Sequence, residues 1–187
     1  MKRWFAVLAA VLPFPLRAGE VTGKVEVSPA RYLAETIVYL EQAPGTFPPR
    51  SHAIDQKGMQ FVPHLLLVTA GDTVEFSNSD GVDHNVYSPD NESYVLPMIP
   101  AGRTGKRLFD KPGIYSQLCS VHPEMLAYVF VGQNPYAAVV GRDGTYRITG
   151  VPPGRYSVAI WNSHLKARAV SVTVDSGKAE ANFSVKR

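Results

Sequence analysis

One cysteine is all that this chain of 187 residues contains, and a lone thiol can close no internal disulfide. Helical spacing of apolar residues is almost missing as well, which excludes a bundle and leaves little room for α/β architectures. The uninterrupted apolar run at 4–12 has nine residues, against the ~20 that a helix needs to cross a bilayer. Clusters of Lys and Arg are lacking, and so are a phosphate-binding glycine loop, a Ser/His/Asp pattern and paired carboxylates. These absences remove the nucleic-acid, nucleotide and hydrolase readings before any positive feature is weighed.

The short apolar run has its own explanation. Lys2 and Arg3 precede it, and Pro13 to Ala18 supply a turn and small residues. That order is the charged, apolar and cleavage pattern of a secretory signal peptide, so residues 1–18 are expected to be a leader and the mature protein to be periplasmic, without stable membrane insertion. The formal net charge of +3 then loses its meaning. Lys2, Arg3 and Arg17 fall in the leader, and the remainder balances 16 basic against 16 acidic residues. In an oxidising compartment an unpaired thiol is buried, joined to another chain, reactive or bound to metal.

What the chain does have is β-forming sequence. Runs rich in Val, Ile, Tyr and Thr occur at 21–27, 36–40, 65–68, 73–76, 126–131, 145–148 and 156–161, and 15 Gly and 15 Pro punctuate the sequence. Short strands between turn residues predict an all-β sandwich. Two connectors, Pro44-Gly45-Thr46-Phe47-Pro48-Pro49 and Gly132-Gln133-Asn134-Pro135, bracket a central unit at 50–133. After it, Asp143-Gly144-Thr145-Tyr146 and Val151-Pro152-Pro153-Gly154-Arg155-Tyr156 read as a hairpin, a strand, a tight turn and a strand. About four strands in 135–187 are few for a core of their own.

The chemistry is concentrated in the central unit. Cys119-Ser120-Val121-His122-Pro123-Glu124-Met125 places a thiolate, an imidazole and a thioether within seven residues. His84 stands 35 residues upstream, in Asp83-His84-Asn85-Val86. Two His, one Cys and a weak axial Met form the donor set of a type 1 copper site, in which soft sulfur suits Cu(I) and imidazole accommodates Cu(II). The candidate metal ligands are therefore His84, Cys119, His122 and Met125, holding one copper ion. His52, His64 and His164 are expected to be strand, surface or loop residues. Met59 and Met98 read as core or patch filler, and Glu124 as solvated.

These motifs, with Ala70-Gly71-Asp72-Thr73-Val74-Glu75-Phe76-Ser77-Asn78 and Phe109-Asp110-Lys111-Pro112-Gly113-Ile114-Tyr115, resemble the cupredoxin (type 1 blue copper) family, and within it the amicyanin/plastocyanin-like branch. The resemblance spans roughly residues 60–131 and implies a Greek-key β-sandwich. It also implies that Asn85 pins the ligand loop, and that Pro97-Met98-Ile99-Pro100 forms an apolar docking patch, with Pro123, around the His122 edge. The amicyanin-like loop has a Pro where this chain has Val121, whose N–H is then available to the Cys119 sulfur. Separately, the Asp-Gly-x-Tyr and Pro-Pro-Gly-x-Tyr motifs resemble the carboxypeptidase-regulatory-like, transthyretin-like sandwich. That resemblance implies one smaller, discontinuous domain made of 19–43 and 135–187, with the copper unit inserted.

The function expected from these features is a periplasmic carrier of single electrons between redox partners, such as a c-type cytochrome or an amine dehydrogenase. The alternative is a protein for copper delivery, buffering or tolerance. An enzyme is disfavoured, because five His in the whole chain leave too few for a second, catalytic copper centre.

Overall fold

The computed structural model describes residues 18–186; all but the last residue of the expected leader lies outside them. Seventeen strands succeed one another among the described residues: β1 (Gly19–Ser28), β2 (Ile37–Leu40), β3 (Ser51–Gln56), β4 (Phe61–Val62), β5 (Leu65–Thr69), β6 (Asp72–Asn78), β7 (Tyr87–Ser88), β8 (Tyr94–Val95), β9 (Thr104–Phe109), β10 (Gly113–Leu118), β11 (Leu126–Gly132), β12 (Ala137–Val139), β13 (Thr145–Val151), β14 (Gly154–Trp161), β15 (Val170–Val174), β16 (Lys178–Glu180) and β17 (Phe183–Lys186). The one helical element among the described residues is a 3₁₀ segment, Ala30–Glu35.

These strands form four sheets. The orders β4-β3-β6-β9 and β5-β11-β10-β7-β8 belong to the central segment, and β13-β1-β16, with β17 also on β1, and β12-β2-β14-β15 to the terminal segments. Strand β6 shows the logic. Asp72, Val74, Phe76 and Asn78 are buried while the residues between them are partly exposed, as the two-residue period of a strand demands. Its Val74 and Phe76 join Ile54, Phe109, Tyr115, Ala127, Val129 and Val131 in one apolar core. A second core gathers Val21, Val25, Val38, Leu40, Ile148, Val158, Val172 and Val174 from the two ends of the chain.

The structure corrects two expectations. Six strands, not about four, lie after residue 135 among the described residues. The turn at Asp143-Gly144 is closed locally by Gly141 N donating to Thr145 O at 2.8 Å, but it joins no hairpin, because β12 pairs with β2 and β13 with β1. At the tight turn Pro152-Pro153, likewise, β13 pairs with β1 and β14 with β2 and β15. Each turn carries the chain from one sheet to the other, so the flanking strands cover a shared core without sharing hydrogen bonds. The Pro-Gly-x-Tyr motif has the same local role in both halves. Tyr115 Oη donates to Lys111 O at 3.0 Å and Tyr156 Oη to Pro152 O at 2.7 Å, a tyrosine corner that fixes the bend before a strand.

The two pairs of sheets meet along a seam of rings and polar links. Tyr39 packs on Phe130 (centroids 4.8 Å apart) and Trp161 on Tyr128 (5.3 Å). Asn134 Nδ2 donates to Leu40 O at 3.0 Å. The His64 ring lies between Leu126 O at 2.9 Å and Glu35 Oε1 at 3.0 Å. Burial pushes the Glu35 carboxyl up, but hydrogen bonds from Ser163 and His64, with the His64 charge, outweigh it and hold the group below the usual glutamate range.

Candidate metal centre

Three loops converge at one end of the central sandwich. The first leaves β6 at Asn78, whose buried side chain organises the turn after it: Nδ2 donates to Val82 O and Ile99 O, both at 2.8 Å, and Oδ1 accepts the Asp80 N–H at 3.0 Å. His84 then pairs with Ile99 as an isolated antiparallel bridge, with Ile99 N donating to His84 O at 2.6 Å. The bridge turns the His84 ring fully inward, with no exposed surface.

The second loop begins at Cys119, directly after β10, and returns at Met125, directly before β11. Pairing of Leu118 with Leu126 closes it at the base, and Met125 N donates to His122 O at 3.0 Å inside it. Cys119 is 2% exposed and Met125 fully buried, while His122 is half-buried. Asn85 ties the two loops together: its Oδ1 accepts the Ser120 N–H at 2.8 Å and the Ser120 hydroxyl at 3.0 Å.

Cys119 Sγ lies 3.8 Å from His84 Nδ1 and 4.0 Å from His122 Nδ1, and the two Nδ1 atoms are 3.0 Å apart. Donors each ~2.0–2.3 Å from one first-row ion stand roughly 3–4 Å from one another, so the three atoms fit a single ion. At 3.0 Å the two nitrogens either share one hydrogen or face each other as lone pairs across a bound cation. Among the described residues this is the one cluster of three His, Cys, Asp or Glu side chains placed to hold a metal.

The third loop, the turn between β3 and β4, meets a residue of the first loop that sequence reasoning missed, Asp80. Asp80 Oδ2 accepts from His84 Nε2 at 2.9 Å and from Met59 N at 2.9 Å, and Oδ1 accepts from Gly58 N at 2.6 Å. The Met59 amide, with those of Gly58 and the His84 ring, outweighs burial and holds the carboxyl below the usual aspartate range. An Asp four residues before the ligand His, in a Ser-Asp-Gly turn, was the signal available.

Other expected site residues fall differently. Met98 is 46% and Val121 50% exposed, and Pro123 is exposed. Ile99 is not surface: it is 4% exposed, because the bridge to His84 turns its side chain inward over Gly105, where a Cβ would sit 2.9 Å from Ile99 Cδ1. Its expected place in a docking patch is therefore corrected; Val82, whose carbonyl shares the Asn78 Nδ2 donor with that of Ile99, is 49% exposed. The Val121 N–H is not among the hydrogen-bonding neighbours of the Cys119 sulfur, which are the two imidazoles. His52 pairs with Asp72 at 2.9 Å, and His164 stacks on Tyr32. Of the two places expected for Met59, core or patch, its exposure leaves the second, and Glu124 is exposed.

Residues 50–132 match the family described as copper binding proteins of the plastocyanin/azurin family. The chain is 32% identical over 77 residues to amicyanin-alpha of Methylorubrum extorquens, covering 39% of this chain and 65% of that protein, just under two thirds of its length. It is 31% identical over 78 residues to plastocyanin of Ulva arasakii, covering 36% of this chain and 80% of that protein. Among solved structures it is similar to a Cu(I) amicyanin mutant, with 26% identity, 43% of this chain and 81% of that chain covered, and a TM-score of 0.41. A purple cupredoxin from Nitrosopumilus maritimus gives 26% identity, 43% and 98% coverage, and a TM-score of 0.40.

Proposed function

Because this chain belongs to the plastocyanin/azurin family of copper-binding proteins, we propose that it is a periplasmic electron carrier whose single type 1 copper is held by His84, Cys119, His122 and Met125. The observation that carries the reading is the convergence of Cys119 Sγ and the Nδ1 atoms of His84 and His122 within 4.8 Å of one another. Bound copper would supply the one-electron Cu(I)/Cu(II) couple.

The protein's own part is to keep the donors fixed and dry. Cys119 and Met125 are anchored at strand ends and His84 by its bridge to Ile99, all three buried, so a change of oxidation state finds the same donor positions before and after. His122 lies half-buried at the turn of its loop and is the ligand nearest the surface by sequence and burial, hence the exit for the electron. Exposed Val82, Met98, Val121 and Pro123 give that end an apolar rim, which suits a transient contact with a redox protein such as a c-type cytochrome or an amine dehydrogenase. The terminal segments form, on this reading, a discontinuous regulatory-like domain that scaffolds the copper unit.

Copper-loaded protein should show an intense visible thiolate-to-copper band and a reversible one-electron wave. Cys119→Ser should abolish the band, since a hydroxyl cannot replace the covalent Cu–S bond; a native band in that variant would falsify the assignment. Fast self-exchange with slow loss of copper to a chelator supports the carrier, and ready surrender of copper favours the delivery and buffering alternative.

A further inference from the structure

The turn between β3 and β4 is built in an unusual way. Lys57 N donates to Gln60 O at 2.9 Å across it, and the two central residues both have positive φ: 65° at Gly58 and 55° at Met59. Such a two-residue hairpin turn favours Gly at its second central position. Here Gly takes the first and a methionine the second, where a side chain is strained. Strain of this kind persists where surrounding contacts over-determine it, and it points toward function.

What the conformation achieves is visible. Successive amides of Gly58 and Met59 both point at Asp80, one to each carboxylate oxygen, and form a small anion cradle. The cradled carboxylate turns Oδ2 to His84 Nε2. Its side chain is 15% exposed and that of His84 is not exposed at all, so this hydrogen bond is shielded from water. A carboxylate accepts only, so Nε2 must carry the hydrogen, which in the neutral imidazole leaves Nδ1 bare on the side where Cys119 and His122 converge.

We propose that Asp80, locked by the Gly58-Met59 turn, is a positioning residue that sets the tautomer and donor strength of His84. The inference rests on the reading of the centre as a copper site. A carboxylate partner makes the imidazole a stronger donor than a neutral partner does, and outer contacts of this type typically affect metal affinity by about 10–100-fold. Stronger donation favours Cu(II) over Cu(I), so Asp80 holds the reduction potential down.

The test has three arms on the full chain. In metal-free wild-type protein, ¹⁵N–¹H spectra of His84 should report the Nε2–H tautomer; the Nδ1–H tautomer overturns the proposal, and this arm needs no variant. Asp80→Asn, of equal size, should raise the reduction potential and weaken binding of redox-silent Zn²⁺ by about 10–100-fold; an unchanged potential and affinity overturn it. Met59→Gly keeps the amide and relieves the backbone strain, so it should leave the potential unchanged; a rise equal to that of Asp80→Asn shows that the potential follows loop stability and overturns the role of the carboxylate. Wild-type protein that takes up no copper refutes the copper reading instead, while the tautomer still decides for or against Asp80.

Discussion

Asn85 Oδ1 accepts both the N–H and the hydroxyl of Ser120, so the residue after His84 is stapled to the residue after Cys119. Asn85 is 6% exposed, and its removal takes away the acceptor that holds the exposed Ser120 backbone to the His84 loop. Asn85→Ala should cost about 1–3 kcal/mol and broaden the copper band by loosening the Cys119 loop. Thermal unfolding of copper-free and copper-loaded protein, with their visible spectra, measures both effects, and equal melting temperatures to wild type would remove Asn85 from the staple.

Met125 is fully buried at the end of the same loop. Met125→Leu conserves volume and should cost less than about 1.5 kcal/mol in packing, while copper is retained at a higher potential, because a thioether stabilises Cu(II) and an isobutyl group does not. Voltammetry decides the matter: an unchanged potential takes Met125 out of the donor set.

Asp72 contributes to the acid sensitivity of the central sandwich, alongside Asp80. Burial pushes its carboxyl up, but hydrogen bonds from the Thr69 and Arg50 amides and from His52 outweigh that and hold it below the usual aspartate range. A depressed folded value means that the stabilisation is fully present above the unfolded value near ~4 and is lost as pH falls through the lower folded one. Asp72→Asn should flatten the stability profile in that acid window and cost about 1–3 kcal/mol at neutral pH. An unaltered acid limb in urea titrations would contradict this.

Docking separates Met98 from its neighbour Ile99. Met98→Lys and Val121→Lys should slow transfer to the physiological partner, with the spectrum nearly intact, because both side chains lie on the rim. Ile99→Lys should instead bleach the copper band or unfold the chain, since it forces a charge under His84. Stopped-flow rates alongside spectra distinguish the two classes. A Met98→Lys variant with wild-type rates moves the docking surface elsewhere.

Architecture yields a further test. Strand β1 lies between β13 and the β16 and β17 strands, and β2 lies between β12 and β14. Residues 135–187 alone lack an inner strand of each sheet, β1 in one and β2 in the other, and should be unfolded, whereas residues 50–133 should fold and bind copper. Cooperative unfolding of the C-terminal piece by itself would refute the discontinuous domain.

Much of the fold and of the centre was legible in the sequence. Strands such as β2, β11 and β14 are runs of β-branched and aromatic residues, and the Cys119, His122 and Met125 spacing is local chemistry that survives without coordinates. Strand β3, Ser-His-Ala-Ile-Asp-Gln, was less visible, because its buried Gln56 sits where an apolar residue marks the inward face. Sheet partnership was illegible, since a Gly turn that closes a hairpin and one that crosses between sheets use the same residues. Ile99 was placed outward because nothing in Pro-Met-Ile-Pro tells which side chain a single bridge to His84 will turn inward. Asp80 escaped notice because its role depends on backbone amides from a turn more than 20 residues earlier.

The polar link between Leu40 and Asn134 also bears on how the two sandwiches depend on each other. It closes the neck of a loop of roughly 95 residues, and the entropy of tethering so long a loop grows only as its logarithm, about 4 kcal/mol by the simplest polymer estimate. The terminal sandwich must therefore bear that burden whenever the central segment is molten, and is relieved of it when the segment folds. If the terminal segments are one discontinuous domain, metal uptake by the centre should then tighten a scaffold whose own residues hold none of the three converging donors, through chain connectivity alone.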